Sequence, residues 1–235
     1  METRLSPGRV LAGGIALGAA TYAAYVASTW SRYGRPNRAP KNPDTLLDAF
    51  MPDHEVVERR QIDVAADADT TFDVACNTNL GESAVITALF KMRELIFGHP
   101  SNMPVLPDAL ADKMKAIGWT VLAEVPGREI IFGTATQPWA TDVGFRAIPP
   151  DQFAAFDEPG YVKIAWTVGT DPIGPSACVA RTETRVSTTD AASRARFRWY
   201  WSFLSPGIKV IRVVLLRQIK AAAEAKEAAA VEIAV

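Results

Sequence analysis

Residues 196–203 read RFRWYWSF, a stretch dense in large aromatic side chains, and its conformation decides what kind of core the chain builds. If the stretch is a strand, alternate side chains share one face, and these are Phe197, Trp199, Trp201 and Phe203. If it is a helix, the side chains that share one face are Phe197, Tyr200, Trp201 and Leu204. The first alternative adds a strand to a sheet, whereas the second supplies an aromatic helix that packs on a sheet.

The sequence on both sides of this stretch favours the helix. Thr189 and Asp190 precede it as a helix start signal, and an alanine-rich segment continues to about Ala229. An apolar helical stripe follows Gly207, formed by Ile208, Ile211, Leu215 and Ile219. The basic side chains lie away from that stripe: Lys209, Arg212, Arg217 and Lys220.

We therefore predict one long terminal element. Asp190–Leu204 is helical, and the helix resumes near Pro206 after a kink or short break at residues 205–207. The side chains predicted to face a sheet are Phe197, Trp201, Leu204, Ile208, Ile211 and Leu215. Trp199 and Phe203 are predicted to meet short helices or a membrane surface.

The rest of the chain from Glu55 onward alternates between helix and strand patterns. Residues 56–64 have the imperfect alternation of an edge strand, and Asp67 or Asp69 starts a short helix. An amphipathic helix is predicted over residues 82–97 and a short one over 107–118. Residues 119–139 are predicted to form two strands joined at Pro126-Gly127, and further strands are predicted over 142–148, 160–169 and 176–188.

The amino end carries 22 consecutive residues without charge, Val10–Ser31, between Arg9 and Arg32. About 20 such residues span a bilayer core as a helix, so we predict an uncleaved transmembrane anchor. Two alternatives stay open: a secretory signal peptide cleaved near residues 26–28, or an alanine- and glycine-rich buried or frayed helix. More basic residues follow the segment than precede it, which predicts a cytoplasmic domain at the cell membrane, or a secreted one if a signal peptide is cleaved.

Composition limits the chemistry. The chain has 235 residues and a net charge of -1, so no nucleic-acid partner is predicted. Cys76 and Cys178 are predicted to be free thiols. The sequence contains no HExxH, CxxC, Walker or GxSxG motif, so no metal, cofactor or catalytic residue is predicted. Whether the chain is an enzyme stays open, but the sequence favours a protein that is not an enzyme.

The order of elements resembles a known fold. One strand, two short helices, a run of antiparallel strands and a long terminal helix are similar to the helix-grip fold of the START, Bet v 1 and polyketide-cyclase (SRPBCC) superfamily. The segments that carry the resemblance are VERRQIDVAADADTTFDVA (57–75), TETRVSTTDAASRARFRWYW (182–201) and PGIKVIRVVLLRQIKAAAE (206–224). The resemblance implies an α+β domain whose curved antiparallel sheet grips the terminal helix around an apolar cavity. It does not select one function, because the superfamily contains carriers, receptors and enzymes.

We divide the chain into a tail (1–9), a transmembrane anchor (10–31), a proline-rich basic tether (32–53), a helix-grip domain (54–229) and a second tail (230–235). The predicted function is a membrane-tethered domain that binds an apolar small molecule or lipid. The alternatives are a cyclase- or aromatase-like enzyme and a protein-interaction module with a filled core.

Two sets of side chains could line a cavity. One is aromatic, and the other is the polar face that Lys163 and Arg181 share with their strand neighbours, which could instead be a solvated face of cross-strand ion pairs. The aromatic set could equally fill the core. The ligand-binding residues predicted from the two sets are Phe132, Phe145, Trp166, Glu183, Arg185 and Trp201.

Overall fold

The computed structural model describes residues 7–35, 44–77, 109–140 and 144–233. The amphipathic helix predicted over 82–97 and residues 36–43 of the predicted tether lie outside the described residues. The described helices are α1 (Pro7–Arg32), α2 (Thr45–Phe50), α3 (Ala68–Asn77), α4 (Leu110–Ala116), α5 (Pro150–Phe153) and α6 (Ala191–Ile233). The described strands are β1 (Val56–Val64), β2 (Thr120–Val125), β3 (Glu129–Thr136), β4 (Phe145–Arg146), β5 (Val162–Gly174) and β6 (Ala177–Thr188).

The strands form one antiparallel sheet in the order β1-β6-β5-β3-β2, and β4 pairs with β3. β1 lies at the edge, as its imperfect alternation predicts. The hairpin between β2 and β3 turns at Gly127, whose φ of 71° belongs to the left-handed region that favours glycine. The long hairpin of β5 and β6 connects the edge strand to the rest of the sheet.

Each face of the sheet has its own apolar cover. On one face, α6 and α3 pack against a cluster that includes Phe132, Val168 and Ile219. Nearer the amino end of α6, Phe197 and Trp201 pack on β1, β5 and β6. On the opposite face, α2 and α5 cover the sheet through Leu47 and Phe153. The predicted α+β helix-grip layout, an antiparallel sheet with a long terminal helix on one face, is therefore confirmed.

The opening stretch is helical, and α6 continues through it for 43 residues. Asp190 caps this helix, since its carboxylate accepts hydrogen bonds from the Ser193 amide at 2.9 Å and the Ser193 hydroxyl at 2.7 Å. The break predicted at residues 205–207 is wrong, because Pro206 lies inside one continuous helix. Trp199 and Phe203 lie on the outer side of α6, where their rings contact each other at a tilt of 37° with centroids 5.0 Å apart.

A second correction concerns Arg212. It was predicted to lie away from the apolar stripe, but only 9% of its surface is exposed. Helical spacing explains this difference, since residue 212 is four residues after Ile208 and three before Leu215. Seven of the buried positions along α6 succeed one another with helical spacing and include this residue: Phe197, Trp201, Ser205, Arg212, Leu215, Ile219 and Ala223.

The predicted membrane segment is helical, and α1 runs antiparallel to the first part of α6. The Tyr25 and Ser205 hydroxyls are 2.8 Å apart, and the Arg198 guanidinium lies 4.3 Å from the Trp30 ring centroid. Among the helices that the structure describes, none has the combined length and apolar character of a membrane span. The predicted transmembrane helix is thus not supported.

The carboxy-terminal part of the predicted tether packs on the domain. Asp44 caps α2, accepting a hydrogen bond from the Leu47 amide at 2.9 Å, and Leu47 and Met51 are buried against the sheet. α2 thereby covers a row of charged side chains on β6, which gives residues 44–51 a structural role.

Candidate ligand-binding site

Strand register places one row of side chains across the α6-facing side of the sheet. Glu58 lies opposite Thr184, Thr184 opposite Trp166, and Trp166 opposite Phe132. Directly opposed residues in antiparallel strands project from the same face. Polar groups from β1 and β6 therefore continue directly into aromatic rings on β5 and β3.

The aromatic part of the row extends beyond the sheet centre. Phe132 stacks on Trp166 with centroids 5.5 Å apart, Trp119 meets Trp166 edge-on at 6.5 Å, and Phe145 lies 5.7 Å from Trp119. We call Phe132, Trp166, Trp119 and Phe145 the aromatic row. Phe132 is fully buried whereas Phe145 is 37% exposed, so the row leads from the core to the surface. Such a surface suits a flat apolar molecule.

Several buried polar atoms on the α6 side of the sheet lack hydrogen-bond partners among the described residues. They are the Thr184 hydroxyl oxygen, the Trp119 indole nitrogen, and Nε and Nη1 of Arg212. The Trp166 indole differs, because it donates to the Thr182 hydroxyl at 2.7 Å. Buried polar groups are normally paired in folded proteins, so this concentration of unpaired donors is unusual.

Arg212 faces β1 from the buried side of α6. Burial lowers the pKa of Arg212 to about 10; Glu58 opposes this shift and Arg60 adds to it. The Glu58 carboxylate is already paired with Lys209 at 3.0 Å. Arg212 thus remains a cation at neutral pH, and among the described residues it has no ion-pair partner within 4 Å.

Glu183 and Arg185, which were predicted to bind ligand, lie on the opposite face of the sheet. Arg185 Nε donates to Glu183 Oε1 at 2.8 Å, and Arg185 Nη1 donates to the Met51 carbonyl at 2.9 Å and to the Asp48 carboxylate. Alternation along β6 explains the separation, since residues 182 and 184 face α6 while 183 and 185 face α2. The structure therefore does not bring these two residues together with Phe132 and Trp166.

The same α2-facing side holds a second buried charge cluster around Arg181. Arg181 Nη1 lies 2.9 Å from both Asp44 Oδ2 and Glu129 Oε1, and Glu129 also accepts from the Thr167 hydroxyl at 2.7 Å. Burial raises the pKa of Glu129, and its hydrogen bond with Arg181 opposes the rise. The sequence analysis left open whether this polar face lines a cavity or is a solvated face of cross-strand ion pairs. The structure shows cross-strand ion pairs, but α2 buries them.

Trp201 lies apart from the aromatic row. It stacks on Phe197 with centroids 6.0 Å apart, is 6% exposed, and packs on Val162 and Val186. At the other end of the row, Phe145 borders a polar cleft of about 240 Å³ with Gln137, Gly144, Arg146 and Tyr161. That volume is below the roughly 300 Å³ of a typical small-molecule site.

Catalytic groups are not evident among the described residues. Cys76 and Cys178 are free, as predicted, and burial raises the pKa of both thiols, that of Cys76 to about 11, which disfavours nucleophilic thiolates. Within the described ranges there is no group of three or more His, Cys, Asp or Glu side chains arranged to hold a metal ion. The arrangement can stack on a ring and donate hydrogen bonds, which is binding chemistry.

Two of the site residues identified here, Trp119 and Arg212, were not among the predicted ligand-binding residues. Trp119 belongs to the set of aromatics that the sequence places near the sheet. Arg212 could have been found from its spacing to Ile208 and Leu215, which is as compatible with the buried stripe as that of Ile211.

Comparison with known proteins gives matches to solved structures alone. No protein-family model matches the sequence, and a search of curated proteins finds no match. A hypothetical protein, jhp0584, from Helicobacter pylori has a TM-score of 0.35 and 9% identity, covering 80% of this chain and 98% of its own. Norcoclaurine synthase from Thalictrum flavum has a TM-score of 0.31 and 13% identity, covering 80% and 96%. A START superfamily protein from Mycobacterium smegmatis has a TM-score of 0.25 and 11% identity, covering 74% and 97%.

Identities and TM-scores this low carry no weight for the ligand or the reaction of this chain. The helix-grip layout rests instead on its own strand pairing, β1-β6-β5-β3-β2, and on the packing of α6 against one face of that sheet.

Proposed function

We propose that this domain binds a flat, largely apolar small molecule between the sheet and α6, with the molecule stacked on the aromatic row. The observation that carries the proposal is the continuity of that row from buried Phe132 to half-exposed Phe145, beside buried donors that lack partners among the described residues. Aromatic walls with a few convergent polar groups are the usual composition of a small-molecule site.

Isothermal titration calorimetry with methyl 2-naphthoate, a neutral flat probe, tests the proposal on the full chain. Phe145→Ala should weaken binding about three- to tenfold, because one stacking contact is lost. Phe203→Ala is the matched control, since Phe203 has the same 37% exposure but lies on the outer side of α6. Absence of binding to the unaltered chain, or equal losses in both variants, would contradict the proposal.

A protein-interaction module is the second candidate, favoured by one observation. The rings of Trp199 and Phe203 contact each other while 51% and 37% exposed, and large apolar side chains exposed together often mark a contact surface. The same titration separates the candidates. A module with a filled core should not bind methyl 2-naphthoate. The unaltered chain, Phe145→Ala and Phe203→Ala should then all fail to bind the probe.

The cellular location stays a prediction from the sequence. Membrane fractionation with amino-terminal sequencing separates three outcomes. Uncleaved protein in the membrane fraction supports the anchor, and a product that begins near Thr29 supports a signal peptide. Uncleaved protein outside that fraction supports a helix that docks on α6, as the contact between Tyr25 and Ser205 suggests.

A further inference from the structure

Arg212 interrupts an apolar helix face at the point where the two α6-side clusters meet. Trp201 belongs to the cluster on one side and Leu215 to the cluster on the other. Ordinary arginines in helices direct the guanidinium to water, whereas this one is 9% exposed and two of its nitrogens are buried without a partner among the described residues.

The charges that the described residues place around Arg212 do not neutralise it. The Glu58 carboxylate is held by Lys209 at 3.0 Å, and Arg60, on the same face of β1, adds positive charge. A buried charge without a counter-charge is strongly destabilising, and an anionic ligand would supply the counter-charge that the described residues do not.

The neighbouring strand offers a further donor. Thr184 lies opposite Glu58, whose carboxylate interacts electrostatically with Arg212. The Thr184 hydroxyl is also buried, and it has no hydrogen-bond partner within the described part of the chain. Trp166 lies opposite Thr184 on the next strand, so the polar groups stand directly beside the aromatic row.

We propose that Arg212 binds an anionic group of the ligand, a carboxylate or a phosphate, while the aromatic row binds its flat apolar body. This inference rests on the proposed function and adds the chemical class of the ligand. The guanidinium is suited to both anions, since it remains charged and donates several hydrogen bonds in one plane. The lowered pKa, about 10, still leaves it protonated at pH 7.

Three probes with one shared ring system test the inference by isothermal titration calorimetry: methyl 2-naphthoate, 2-naphthoate and 2-naphthyl phosphate. The unaltered chain should bind at least one anion about tenfold or more tightly than the ester, as a charged hydrogen bond in a dry site predicts. The anion whose affinity exceeds that of the ester by the larger factor identifies the carboxylate or the phosphate as the group that the site prefers.

Arg212→Gln should abolish the preference for the anion over the ester. Arg217→Gln is the matched control, because Arg217 is an exposed arginine on the same helix and should keep the full preference. The melting temperature of Arg212→Gln without probe should not fall, since the guanidinium has no ion-pair partner among the described residues to lose.

The outcomes are distinguishable. Binding of all three probes with equal affinity, or a preference that survives Arg212→Gln, overturns the anion site but leaves the proposed function standing. Failure of every probe to bind the unaltered chain overturns the proposed function and the anion site together. A preference lost equally in Arg217→Gln also overturns the inference, because it would reflect the net charge of the helix.

Discussion

Replacing Arg212 with methionine should make the unliganded protein more stable. Methionine matches the length of the arginine side chain, adapts to irregular space and carries no charge. In the native fold burial lowers the pKa of Arg212 well below its ordinary value, to about 10, because the folded protein disfavours the charged form. One pKa unit corresponds to about 1.4 kcal/mol, so the charge costs roughly 3 kcal/mol at neutral pH.

This figure needs no discount for solvent, because Arg212 is 9% exposed. Methionine removes the cost and keeps the contacts of the side-chain stem with the neighbouring helix face. We therefore expect the free energy of unfolding to rise by roughly 2 to 3 kcal/mol, and the melting temperature by about 5 to 10 °C for a domain of this size.

Urea titrations followed by circular dichroism, together with thermal scans, measure both quantities. Arg217→Met is the control, since an exposed arginine should change stability by at most about 0.5 kcal/mol. A loss of more than about 1 kcal/mol in Arg212→Met would refute the reasoning. It would mean that the guanidinium makes native contacts and is not a buried charge in need of an anion.

Three further changes probe the core, the α2-facing charges and the helix cap. Trp201→Ala should lower the free energy of unfolding by roughly 3–5 kcal/mol, because it empties a buried site. Trp199 is half-exposed, so Trp199→Ala should lower it much less. Similar losses for the two variants in urea titrations would contradict the assigned helix face. Arg181→Met should also destabilise, by about 3–5 kcal/mol, because Glu129 would remain buried without its cation; a neutral result would show that the cluster can neutralise itself. Backbone and side-chain hydrogen bonds from residues 160 and 193 hold the pKa of Asp190 well below its usual range, so its contribution to stability is present above about pH 4 and is lost as the pH falls further. In Asp190→Asn this acid-side slope should be shallower, and an unchanged slope in pH-dependent thermal scans would count against the cap.

The sequence by itself determined the strands around the two hairpins, the short helix that begins after Asp67, the terminal helix, and the order of these elements. Strong local signals made this possible: Asp67 and Asp190 as helix caps, the turn at Gly127, and the alternation in β5 and β6. Each signal acts over a few residues, so it can be recognised in the sequence without knowledge of the rest of the fold. The helical period of RFRWYWSF was also correct, because a start signal and an alanine-rich continuation surround it.

Tertiary structure decided which sides of those elements meet. Glu183 and Arg185 lie one residue from Thr182 and Thr184, yet α2 rather than α6 covers them, and their alternation alone does not say which face receives the helix. Ile211 and Arg212 are similarly adjacent, and both fit a helical stripe within one turn. Only the packing of α6 on β1 and β6 turned Arg212 inward, because a helix rotated by one residue would have buried a different side chain.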